Sequence, residues 1–124
     1  MKKYLILIYI FLIVIFCGCN NNKNVRINDS IVNGLEAKEK VENGAILIDV
    51  RTKSEYIESH IEGAVLLPVD DINEKTILEI SDNKNTVLVV YCASGNRSGR
   101  AVNILKDLGY TNVYDLGSIN NWEE

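Results

Sequence analysis

Residues 91–101 read YCASGNRSGRA, and two side chains in this stretch can do chemistry. Cys92 offers a thiol. Arg97, with four residues between, offers a planar fork of donors suited to an oxyanion. The intervening Ala93, Ser94, Gly95 and Asn96 are small or turn-forming. Gly95 permits positive φ and close backbone approach, and small neighbours let successive amides turn inward as an anion nest. An amphipathic pattern starting near Ser98 predicts a helix whose positive end faces the same place. A thiolate held there should form below the ~8.5 of a free cysteine. The pattern is that of a nucleophilic sulfur in a cradle for an anion; the alternative is a small core cysteine.

The elements that must position this loop alternate. Residues 30–43 predict a helix, with Ile31, Leu35, Ala37 and Val41 loosely on one face and Gly44 as its stop. Apolar runs at 45–50, 64–69, 85–91 and 112–116 predict strands, the second ending at Pro68. Helices are expected at 52–59, opened by a Thr52/Glu55 capping box, at 70–81, and at 98–109. The last turns Ala101, Ile104, Leu105 and Leu108 inward and closes on Gly109. Fully apolar strands separated by helices imply an α/β fold with a parallel sheet covered on both faces. Ligands of such sheets sit at the carboxyl ends of the strands, where Asp49, Arg51 and the Cys92 loop must meet.

The 124 residues suffice for one modest domain. Residues 1–18 stand apart: Lys2 and Lys3 precede an apolar run, Tyr4 to Phe16, too short for the ~20 residues of a comfortable membrane span. This is an export pattern. Its end, FCGC, resembles a bacterial lipoprotein signal, with Gly18 before Cys19. The resemblance implies lipidation at Cys19, a tether over 19–29, a domain over 30–124, and a membrane-anchored location in the cell envelope outside the cytoplasm. Without residues 1–18, 11 basic and 17 acidic residues remain, a net charge of −6. Such acidity, with no basic stripe, argues against nucleic acid. Cys92 is the one cysteine of the domain, so it has no intradomain disulfide partner.

Three segments carry a second resemblance: LIDVRTKSEYIESHIEGA at 47–64, YCASGNRSGRA at 91–101, and LKDLGYTNVYDLGSINNW at 105–122. In this order and spacing they resemble the single-domain rhodaneses, which are sulfurtransferases. The resemblance implies a five-stranded parallel sheet flanked by helices. It implies that Cys92 takes sulfane sulfur from thiosulfate or a persulfide donor, carries it as a persulfide, and passes it to cyanide or a thiol. A thiol protein is a further partner of that kind. The amides of Ala93 to Ser98 would stabilise the persulfide and Arg97 would bind the sulfonate end, with no metal or organic cofactor. Phosphatases and arsenate reductases on the same fold are similar, but their loop is one residue longer.

The resemblance also assigns supporting residues. Asp49 and Arg51 hold the fold through buried hydrogen bonds, Glu55 pairs with Arg51, His60 braces the turn after the short helix, and Trp122 anchors the tail. Ser98 is a small helix-start residue that also donates to the sulfur. Two positions depart from the family: Ala93 stands where many members have arginine, and Glu62 where they have a turn-stiffening proline. The first weakens attraction for a dianion. It keeps open a reading as a rhodanese-like module that binds a thiol partner or senses oxidants without turnover.

Overall fold

The computed structural model describes residues 27–123. The expected signal, the lipidation residue Cys19 and most of the tether lie outside the described residues. The tether's last residues enter a 3₁₀ turn, Ile27–Ser30.

Four parallel strands build the sheet: β1 (Ile46–Asp49), β2 (Val65–Leu66), β3 (Leu88–Cys92) and β4 (Val113–Ser118), in the order β2-β1-β3-β4. The helices are α1 (Gly34–Glu42), α2 (Lys53–Glu58), α3 (Glu74–Ile80) and α4 (Asn96–Asp107). Alternation along the strands divides the core. Ile48, Leu88, Val90 and Cys92 face α3 and α4, among Ile77, Ala101 and Leu105. Leu47, Val89 and Tyr91 face α1 and α2, among Ala37, Ile61 and Leu116. β3 is buried at every residue, as a central strand covered on both faces must be.

The expected fifth strand is absent among the described residues. Beyond β4 there is a single parallel bridge, Ile31 to Asp115, with the Val32 amide donating to the Asp115 carbonyl at 3.0 Å. Asn33 then caps α1 through the Glu36 amide, and that immediate turn leaves no extended residues to pair. The first helix is correspondingly shorter than expected. Ile31 lies before it, Ile31 and Leu35 are exposed, and Ala37 alone of the four expected residues is fully buried.

β2 stops after two residues, two short of Pro68, which has no N–H to give a ladder. A 3₁₀ turn at Val69–Asp71 follows, so α3 begins at an Asn73 capping box rather than at residue 70. The Thr52/Glu55 box stands as expected, with the Glu55 amide 3.3 Å from Thr52 Oγ1. In α4, Ala101 and Leu105 are fully buried and Ile104 and Leu108 pack at the core's margin.

Candidate active site

Cys92 is the last residue of β3, and α4 begins four residues later at Asn96. The helix thus starts two residues earlier than its pattern suggested, which places Arg97 in its first turn. Between strand and helix the chain reverses through Gly95, at φ 101°, a conformation that glycine adopts without strain. Gly95 is the N-cap residue and has no side chain to cap the helix. The Gly95 amide donates to Cys92 Sγ at 2.9 Å. The thiol also contacts Ser98 Oγ at 3.5 Å, while the Ser98 hydroxyl donates to the Gly95 carbonyl at 3.0 Å.

Cys92 and Ser98 are both wholly buried. Burial alone pushes the Cys92 thiol up. Hydrogen bonding with the Ser98 side chain and the backbone of Ser98, Gly95 and Ser94 outweighs it, and the net shift is downward. Of the amides in the expected cradle, that of Gly95 donates to the sulfur. Ala93, Ser94 and Asn96 turn their side chains to solvent.

Beneath the loop lies a buried polar network. Asp49 Oδ2 accepts from Arg51 Nη2 at 2.7 Å and from the Tyr91 hydroxyl at 2.7 Å, and Arg51 Nη2 also donates to the Ser59 carbonyl at 2.6 Å. Tyr91 in turn accepts from the Ile61 amide at 3.2 Å. Arg51 is raised further above its usual range by its hydrogen bonds to Asp49, and burial pushes the Tyr91 hydroxyl up. Asp49 and Arg51 thus brace the segment 59–61 against the end of β3. The sequence reading missed Tyr91, although Asp49 and Tyr91 stand opposite each other in register. A polar aromatic tip ending an otherwise apolar strand was the available signal.

Glu55 does not pair with Arg51. Its two carboxylate oxygens take Arg97 Nη1 at 2.6 Å and Nη2 at 3.0 Å in a bidentate fork. The Arg97 guanidinium holds the Glu55 carboxyl down to about 2, and hydrogen bonding to Glu55 raises Arg97. The charge of Cys92 adds to the second effect. Arg51 is unavailable to Glu55 because Asp49 saturates its inner edge. His60 is exposed, stacks on Tyr56 with ring centroids 3.7 Å apart, and sends Nδ1–H to the Tyr56 carbonyl at 2.8 Å. It braces the turn. Trp122 packs, half-buried, against the α1–α2 side of the core. Among the described residues no group of three His, Cys, Asp or Glu could hold a metal.

A Rhodanese-like domain model matches residues 34–124. This chain belongs to the rhodanese-like family. It is 38% identical over 72 residues to the thiosulfate sulfurtransferase PspE of Escherichia coli, covering 58% of this chain and 68% of that one. It is 35% identical over 114 residues to a putative mitochondrial thiosulfate sulfurtransferase of Schizosaccharomyces pombe, covering 82% and 80%. A rhodanese from E. coli solved with anions superposes with a TM-score of 0.60 at 33% identity, over 63% of this chain and 91% of that one. Other relatives of this rhodanese-like chain are longer, and it spans between 20% and 45% of their length.

Proposed function

We propose that this protein is a sulfurtransferase of the thiosulfate sulfurtransferase type, acting through a persulfide on Cys92. The observation that carries the reading is the Gly95 amide 2.9 Å from Cys92 Sγ at the uncapped start of α4. A sulfur held there forms a thiolate readily. Its persulfide places the outer sulfur, with its negative charge, among the same amides.

In the first step the Cys92 thiolate attacks the outer sulfur of thiosulfate. The new S–S bond forms as the donor's S–S bond breaks, and sulfite departs with the electron pair. In the second step cyanide or a thiolate takes the outer sulfur and the Cys92 thiolate is restored. Arg97, in the first turn of α4, binds the sulfonate end of the donor, with Glu55 tempering its charge. Asp49, Arg51 and His60 act through the fold and not on the substrate. The PspE likeness supports this reading of the reaction.

Intact-mass spectrometry before and after thiosulfate tests it. A gain of about 32 Da, one sulfur atom, removed by cyanide and absent in Cys92→Ala, is the expected result. No gain with a folded protein and a free thiol would leave the second reading, a thiol-binding or redox-sensing module without turnover. Ala93, which places no cation next to Cys92, is the observation that favours that reading.

The acidic domain is proposed to work at the cell envelope, outside the cytoplasm, held by a lipid on Cys19 through the segment 19–29. FCGC at residues 16–19 supports this. Cys19→Ser should move the protein from the membrane fraction to the soluble one; unchanged membrane association would overturn it.

A further inference from the structure

The positive charge that follows Cys92 in the loop sequence is already committed. Both carboxylate oxygens of Glu55 engage Arg97, at 2.6 and 3.0 Å. The other arginines of the described residues are matched in the same way: Arg51 to Asp49 at 2.7 Å, and Arg100 to Asp70 at 2.8 Å. Ala93, beside the sulfur and exposed, adds no charge. What the loop presents to a donor is therefore mainly amide N–H groups and the end of α4. These attract one negative charge well but supply no whole cation for a second.

Glu55 is fixed independently of Arg97. It sits at the third position of α2, where Oε1 also receives the Thr52 hydroxyl at 3.0 Å. The carboxylate is thus held in place by its own helix and presented to Arg97, rather than swinging freely away when a donor arrives.

We propose that Glu55 sets the donor class of this site: by neutralising Arg97 it disfavours dianionic donors and selects sulfane sulfur bearing one negative charge or none. A persulfide or a thiosulfonate monoanion is the fitting chemistry, with thiosulfate a poor member of the series. This rests on the sulfur-transfer reading above. For a persulfide R–S–SH, the Cys92 thiolate attacks the outer sulfur, the donor's S–S bond breaks, and R–S⁻ leaves while the proton stays on the transferred sulfur. Glu55 touches neither sulfur; it is a positioning residue acting through Arg97.

Two donors of similar shape separate charge from geometry. Thiosulfate carries two negative charges. Methanethiosulfonate has a methyl group in place of one oxygen, carries one charge, and yields methanesulfinate. Glu55→Gln keeps the capping box, since glutamine serves at that position, and it releases a full positive charge on Arg97. Coulomb energy scales with the product of charges, so the logarithm of the gain for the dianion should be twice that for the monoanion. An approximately tenfold fall in KM for thiosulfate should accompany a roughly threefold fall for methanethiosulfonate, with kcat little changed and both gains shrinking at high salt. Ala93→Arg, which adds a cation on the exposed side of the loop and leaves Glu55 alone, should shift the two donors in the same order.

Equal changes for both donors in Glu55→Gln, or a higher KM for thiosulfate, would overturn the proposal and leave Glu55 as a clamp that holds Arg97 in position. Failure of both donors to form the Cys92 persulfide in the unmodified protein would instead overturn sulfur transfer itself, and this inference with it.

Discussion

Two arginine–carboxylate pairs stand near the carboxyl edge of one sheet, and they differ in what surrounds them. Arg51 and Asp49 are buried, at 7% and 0% side-chain exposure, and every contact of the pair runs inward to Tyr91 or to the Ser59 carbonyl. Arg97 and Glu55 are each about a third open, at 32% and 31%, and Arg97 lies in the first turn of the helix that follows the Cys92 loop. Their chemistry is the same, but water separates their roles. A pair without water cannot be broken by an arriving ligand, so it can only hold the fold. A pair open to water on one side meets an arriving donor with its charges balanced, so it can set which donor enters.

Breaking the buried pair should have the largest effect. Asp49→Ala strands the Arg51 charge, and also removes the acceptor of the Tyr91 hydroxyl. Removing one partner of a buried pair costs about 3–5 kcal/mol, against a total of roughly 5–15 for a domain of this size. The urea midpoint should fall by a large fraction of its value. A loss below about 1 kcal/mol would mean that the buried pair behaves like a surface one.

How much of this difference could be read beforehand follows from what each pair depends on. Asp49 and Arg51 are two residues apart at the end of an apolar strand, and their burial was legible from that strand. The place of Cys92 at the end of a strand just before a helix was legible too, because strand end, loop and helix lie within one short segment. The partner of Glu55 was not. Glu55 and Arg97 are 42 positions apart, and their contact depends on how α2 is set against the loop, which no local pattern records. The number of strands failed for a different reason. A fifth strand needs several extended residues beside β4, and the capping of α1 by Asn33 removes them. Tyr91 was hidden by its type, because a tyrosine in an apolar strand is counted as core until its hydroxyl finds Asp49.

A smaller change sharpens the contrast. Tyr91→Phe keeps the ring among Val89 and Leu116 but removes the hydroxyl that donates to Asp49 and accepts from the Ile61 amide. A buried group left unsatisfied costs about 1–3 kcal/mol, and that loss should appear in the urea midpoint. Tyr91 and Cys92 point to opposite faces of the sheet. The KM for either sulfur donor should therefore stay within about twofold, that is, less than about half a kcal/mol. A donor-specific change would show that the two pairs are coupled, contrary to the division drawn above.

The smallest effect is on stability at the open pair. Drawing the Glu55 carboxyl from 4.5 down to about 2 stabilises the folded state while Glu55 is ionised. The sign follows from the lowered value: the contribution is complete above 4.5 and is lost as pH falls through about 2. Taken alone, so large a shift would contribute substantially. With both side chains about a third open, screening and the entropy of holding two long chains keep the net near 0.2–1 kcal/mol. Glu55→Gln should therefore be less stable than the unmodified protein by no more than about 1 kcal/mol at pH 6. That difference should close as the pH approaches 2, where protonated glutamate and glutamine present the same uncharged oxygen to Arg97. A difference of about 3 kcal/mol or more at pH 6 would place this pair with Asp49 and Arg51, as a fastening of the fold. A small, acid-sensitive difference, alongside a large donor-dependent change in KM, would separate the two pairs by experiment as the surrounding water separates them in the structure.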